Sequence, residues 1–228
     1  MVGNRLIAAL DVPARADADA LVARLGGVPS WLKIGLELFG ACGPAIVADY
    51  AKQRSVMLDL KLHDIPETVV RAVGRLASLG AQLLTVHAAG GRAMLEGAVT
   101  AAAAGGAKIL AVTVLTSLDD ADLRAVGATG TVAEVVEKRA RLAIEAGCHG
   151  VVASPREVAL IRGFAPAGFL IVTPGVRPSG AAGRDDQKRV MSAREARAAG
   201  ADLVVVGRPL RDAADPAAAA RALVVELS

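Results

Sequence analysis

The chain has 228 residues, 54% hydrophobic, 21% charged and only 2% aromatic; that length buries a sizeable core without disulfide or metal staples and excludes the small-scaffold classes. Twenty-six Lys plus Arg against 23 Asp plus Glu give a formal charge of +3, scattered rather than clustered and with few stacking rings, which argues against a nucleic-acid partner. The positive mean hydropathy comes from alanine and short Val/Ile/Leu runs. None reaches the roughly 20 apolar residues of a bilayer span, and the N-terminal MVGNRLIAALDVP is too briefly apolar for a secretory signal, so a soluble cytoplasmic protein with no membrane partner is expected.

Eight short apolar runs, each bounded by Gly, Pro or polar residues, read as strands. In chain order they are RLIAAL (5–10), WLKIGLEL (31–38), SVMLDLKL (55–62), QLLTVHA (82–88), KILAVTVL (108–115), GVVAS (150–154), FLIVTPG (169–175) and DLVVVGR (202–208). Ala/Arg/Glu/Leu-rich segments with helical spacing lie between them. Pro66 marks one helix start, and Ser154-Pro-Arg-Glu157 and Ser192-Ala-Arg-Glu195 read as capping boxes. Gly80, Gly147 and Gly200 read as helix stops.

Strands apolar on both faces and alternating with helices predict a parallel sheet covered by helices. Eight such units fit a single α/β domain over residues 1–228, a (β/α)8 TIM barrel. A doubly wound sheet ranks second, because Asp11-Val-Pro13 follows the first run where a Gly-rich dinucleotide fingerprint would stand. The polar, Gly-rich stretch after the seventh run reads as a mobile, phosphate-gripping loop at about 176–188.

Barrel active sites sit at the C-terminal strand ends, and there the polar residues converge. The first run ends in Asp11 and the second carries Lys33. The third carries Asp59 and Lys61 and continues to His63 and Asp64. Thr116 and Ser117 follow the fifth, Pro174-Gly175-Val176-Arg177 the seventh, and Gly207-Arg208 close the eighth. Alternation along LDLKLHDIPET (58–68) puts Asp59 and Lys61 on one face and Leu58, Leu60 and Leu62 on the other. A buried ion pair without a task is often no better than an apolar filling, because desolvation offsets the attraction, so this pair points to chemistry. The Gly207 backbone and the Arg208 guanidinium suit a phosphate, with Arg177 as a second cation.

Plainer roles compete for several residues. Asp11 could cap the following helix, Ser154 is explained by capping, and His63 and His87 are left outside the catalytic set. Glu37, placed on the second strand, is read as a structural ion-pair member rather than a metal ligand. Cys42 and Cys148 have no ligand or disulfide spacing, so reduced thiols and no metal site are expected.

These segments together resemble the orotidine 5′-phosphate decarboxylase family over essentially the full chain. The matching stretches are LDVP (10–13), KIGLELF (33–39), Asp59-x-Lys61-x-x-Asp64 within DLKLHDIPET, VTVLTS (112–117), TPGVRPSG (173–180), DQKRVM (186–191) and VVGRPL (205–210). The resemblance implies loss of CO₂ from C6 of orotidine 5′-monophosphate to give UMP, without metal or cofactor. Lys61 would stabilise and protonate the C6 carbanion, within a charge network of Asp59, Asp64 and Lys33. It further implies a homodimer in which Asp64 and Thr68 are shared across the interface.

By the same resemblance Asp11, Lys33 and Thr68 would contact the ribose, and Thr116 or Ser117 the pyrimidine. Arg177, Gly207 and Arg208 would hold the phosphate, Gln187 would reach the phosphate or the pyrimidine, and Asp59 and Ile65 would complete the substrate-binding set. Two other readings stand beside this one. Mg²⁺-dependent sugar-phosphate decarboxylases or aldolases share the Asp-x-Lys-x-x-Asp motif but carry a metal-binding Glu where Lys33 stands. A non-catalytic phosphate-binding barrel would not need Asp59, Lys61 and Asp64.

Overall fold

The computed structural model describes residues 3–177 and 191–228. Eight parallel strands close into a barrel: β1 (Leu6–Ala9), β2 (Trp31–Gly35), β3 (Ser55–Leu62), β4 (Leu83–His87), β5 (Lys108–Val112), β6 (Gly150–Val152), β7 (Leu170–Thr173) and β10 (Leu203–Val206). β1 closes the ring by pairing with β2 on one side and β10 on the other. The short β8 (Val176–Arg177) and β9 (Met191–Ser192) pair in parallel as a separate sheet. Each of the eight predicted runs contains one barrel strand. Most strands stop before their runs do, because the last residues leave the ladder and form the barrel mouth.

Burial on both faces explains why these runs lack simple polar alternation. Inward-facing Ile7, Ala9, Trp31, Met57, Leu83, Leu110, Val112, Val152, Leu170, Val172, Leu203 and Val205 fill the barrel, as branched and bulky side chains do in this fold. Trp31, the one tryptophan, belongs to this interior, and its indole N–H is buried without a hydrogen-bond partner. The outward row, including Leu6, Ala8, Leu32, Ile34, Leu58, Leu84, Val86 and Val204, packs against the surrounding helices.

Local signals account for the helix boundaries. Pro66 occupies the first turn of the helix Pro66–Ala77, where its missing N–H costs no hydrogen bond. Ser192 forms a full capping box with Glu195 ahead of the helix Ala193–Ala198. The box expected at Ser154 is not formed. Its hydroxyl accepts the Arg156 N–H above a short 3₁₀ turn, and the Glu157 N–H goes to the Ser154 carbonyl instead. Gly80, Gly147 and Gly200 all have positive φ, the backbone state that ends a helix at little cost only in glycine.

Glu37 lies in the helix Leu36–Cys42, not on β2. There it is exposed, and its charge adds a minor contribution to the raised pKa of Arg211, after the larger one from Asp212. Both cysteines are free, and burial pushes the Cys148 thiol up to about 12, which makes it a poor nucleophile. No helix among the described residues is long and apolar enough to cross a membrane.

Candidate active site

A cavity of about 470 Å³ opens at the C-terminal ends of the strands, within the size range of small-molecule sites. Asp11, Lys33, Asp59, Lys61, Thr116, Ser117, Gly207 and Arg208 all line it. They come from the ends of β1, β2, β3, β5 and β10, so the closed barrel brings together residues far apart in sequence.

Four charges form an alternating row. Asp11 Oδ1 lies 2.8 Å from Lys33 Nζ, Lys33 Nζ lies 3.5 Å from Asp59 Oδ2, and Asp59 Oδ2 lies 2.9 Å from Lys61 Nζ. Lys33 and Asp59 are 8% and 7% exposed, so each needs its partners to remain ionised at all. Burial is the largest single influence on Lys33 and opposes its charge, but Asp59 and Asp11 together outweigh it and hold its pKa above the ordinary lysine value. Burial likewise opposes the Asp59 charge, yet Lys33 and Lys61 outweigh it and hold the carboxyl below the usual range. Removing either buried member strips a counter-charge from both of its neighbours.

The local backbone is less regular than alternation predicts. The faces are as expected, with Leu58, Leu60 and Leu62 packed on the outer core and Asp59 and Lys61 in the cavity. The ladder between β3 and β4, however, slips between Leu58 and Leu62. Lys61 sits within that bulge at φ +51°, the one non-glycine residue with positive φ among those described. Bulges beside active sites re-aim side chains in this way.

Asp11 does not cap the next helix, whose N-cap is Ala14. It instead bonds Lys33, and its carbonyl accepts a hydrogen bond from the Arg211 guanidinium at 3.1 Å. Gly35 passes directly beside the pair. A β-carbon there would lie 3.0 Å from both Asp11 Oδ1 and Lys33 Nζ.

Asp64, Ile65 and Thr68 do not join the cavity of their own chain. All three are exposed, Ile65 at 66%, and Asp64 Oδ1 is engaged by the Ile65 N–H at 2.6 Å. The backbone of Arg177 forms part of β8; Gln187, and with it most of the predicted loop, lies outside the described residues.

Two residues of the site escape a motif-based reading. Thr85 accepts the Lys61 N–H and donates to Asp59; a polar residue between Leu84 and Val86 was its one signal. Arg211 lines the cavity, and its spacing of three residues from Arg208 on a helical turn could have suggested it. His63 and His87 stack with ring centroids 5.2 Å apart, outside the cavity lining. His87 Nδ1 accepts the Ala89 N–H. Burial, aided by the charge of Arg139, lowers the His87 pKa to about 4.

Comparison with known proteins places this arrangement. Residues 4–223 match the model of the orotidine 5′-phosphate decarboxylase / HUMPS family. The chain belongs to that family. An orotidine 5′-phosphate decarboxylase of Anaeromyxobacter sp. (strain K) is 54% identical over 225 residues, covering 98% of each chain. One from Moorella thermoacetica is 50% identical over 98% of this chain and 92% of its own. Among solved structures, the orotidine 5′-phosphate decarboxylase of Lactobacillus acidophilus matches with a TM-score of 0.89 at 35% identity over 99% of both chains. An uncharacterized conserved protein of Geobacillus kaustophilus matches with a TM-score of 0.85 at 40% identity, over 98% of this chain and 100% of its own. Family membership therefore rests on agreement of sequence and fold over nearly the whole barrel.

Proposed function

We propose that the chain decarboxylates orotidine 5′-monophosphate at C6 to give UMP and CO₂, with Lys61 as the catalytic cation and acid. The observation that carries this reading is the alternating row from Asp11 to Lys61 in the cavity. When the C6–carboxylate bond breaks, its electron pair stays on a ring carbon with no adjacent electron sink. Enzymes lower barriers by about 8–23 kcal/mol, and such a carbanion calls for the upper part of that range. One ammonium about 4 Å away, at an effective dielectric near 20, contributes about 4 kcal/mol. Lys61 is the most accessible ammonium of the row, with its side chain 31% exposed against 10% for Lys33. Its proton then passes to C6, leaving the neutral amine to be reprotonated from solvent.

Asp59 holds Lys61 in place and Lys33 steadies Asp59, and the row supplies fixed charges that need not reorganise during reaction. Asp11 and Lys33 bind the ribose hydroxyls, and Thr116 or Ser117 the pyrimidine edge. Gly207 and Arg208 hold the phosphate, since the loops after the last two barrel strands are the usual phosphate site of this fold. Arg177 and Gln187, in the loop at about 176–188, join that grip on the strength of the sequence resemblance. The chain acts as a homodimer, in which exposed Asp64 and Thr68 complete the partner's cavity.

The reading is tested by following loss of the orotate absorbance of orotidine 5′-monophosphate with purified protein. Wild type turns over, and Lys61→Ala lowers kcat/KM by at least about 1,000-fold through loss of both charge and acid. Turnover by Lys61→Ala equal to wild type overturns the mechanism. A metal-dependent reaction of the same barrel is favoured instead if exhaustive chelation abolishes turnover and Mg²⁺ restores it. The donor set disfavours that outcome, because Lys33 and Lys61 would repel a cation bound at Asp59.

A further inference from the structure

Thr85 stands on β4 directly behind the charge row, 1% exposed and absent from the cavity lining. Between the pairs Leu58↔Leu84 and Leu62↔Val86, β3 advances four residues while β4 advances two. Asp59, Leu60 and Lys61 are therefore opposed by Thr85 alone, and the backbone ladder is broken at this point. The Thr85 side chain bridges the gap. Its Oγ1 accepts the Lys61 N–H at 2.9 Å and donates its one proton to Asp59 Oδ1 at 3.0 Å.

That single hydroxyl settles two geometries at once. It satisfies the amide of a lysine held at φ +51°, a region costly for any residue with a β-carbon, which persists only where the surroundings over-determine it. It also occupies Oδ1 of Asp59, so that Oδ2 is the oxygen left facing Lys61 Nζ at 2.9 Å and Lys33 Nζ at 3.5 Å. An apolar side chain of the same shape would leave a buried N–H and a buried carboxylate oxygen unpaired.

We infer that Thr85 is a positioning residue: its hydroxyl locks the β3 bulge and thereby aims the Lys61 ammonium and the Asp59 carboxylate into the cavity. The inference rests on the decarboxylase reading for its kinetic consequence, though not for its geometric one. It acts through Lys61 and Asp59 and touches no reacting atom.

The test compares Thr85→Val, which keeps the shape and removes the hydroxyl, with Thr85→Ser, which keeps the hydroxyl. Thr85→Val lowers kcat for orotidine 5′-monophosphate by about 10- to 100-fold, the scale of a misaimed catalytic group. UMP affinity, measured by calorimetry, changes by less than about threefold, and Thr85→Ser stays within about threefold of wild type in kcat. A carboxyl-carbon NMR titration of Asp59 gives a readout independent of turnover. Losing the Thr85 donor moves the Asp59 midpoint upward in Thr85→Val and leaves it in place in Thr85→Ser.

Should Thr85→Val not fold, Thr85→Ala replaces it with the same expected loss. Wild-type protein without turnover refutes the decarboxylase reading, while the Asp59 titration still decides the role of Thr85. An unmoved Asp59 midpoint, an unchanged kcat in the hydroxyl-free variant, or a failure of serine to rescue overturns the inference.

Discussion

Gly35 shows how tightly single residues are constrained at the barrel mouth. A methyl group there would press on Asp11 Oδ1 and Lys33 Nζ, both 3.0 Å from the ideal β-carbon position. Gly35→Ala is therefore expected to spread the Asp11–Lys33 pair and weaken substrate binding by about 10-fold. The displaced atoms are side-chain ends, so the melting temperature changes little. Steady-state KM measured beside a thermal melt checks this.

His87 gives a pH signature of a different kind. Its folded pKa, near 4, lies below the unfolded value of about 6.5, so between these values the unfolded chain binds more protons. Stability falls as pH drops through that window. Denaturant titrations at pH 7 and pH 5 should differ less in His87→Asn than in wild type. Asp59, with its lowered pKa, adds stability present above about pH 4, which is lost as pH falls through its folded value.

Lys33, Asp59 and Lys61 were legible in the sequence because charges are conspicuous in apolar strands. Thr85 was not, because threonine is an ordinary strand residue and its function lies in two hydrogen bonds across a broken ladder.

At the scale of elements, the caps were legible where a short-range pattern decided them, and less so where neighbours intervened. The Ser192 box forms as its four-residue pattern predicts, whereas at Ser154 the chain tightens into a 3₁₀ turn that takes the Glu157 N–H away. Ser192→Ala should accordingly cost about 1 kcal/mol of unfolding free energy. Ser154→Ala should cost less through capping, since its hydroxyl meets one backbone donor above a short turn. Urea titrations of both variants separate the two cases. The β3 bulge was not legible, because alternation of faces survives it: Asp59 and Lys61 still lie on the inward face that the pattern predicts. Only the pairing with β4 reveals it, and pairing register is a long-range property.

The barrel itself was the most legible level, since eight two-sided apolar strands alternating with helices leave few closed topologies. Exposed Asp64 and Thr68 have a proposed task that belongs to an assembly of two chains. If sites are shared, mixing Asp64→Asn with Lys61→Ala protomers produces dimers with one intact site each. After random exchange, half the dimers are mixed, so activity should reach about one quarter of wild type. Activity remaining at the sum of the two parents would place every catalytic group within one chain.

The lone tryptophan inside the barrel makes the fold self-reporting. Trp31 lies two residues before Lys33, on the same inward row of β2, with its indole away from water. Its emission should therefore be blue in the native state and shift red when the strands part. With no second indole to blur the signal, one tryptophan follows the opening of the barrel beneath the charge row, and every substitution above can be checked for fold integrity without a label.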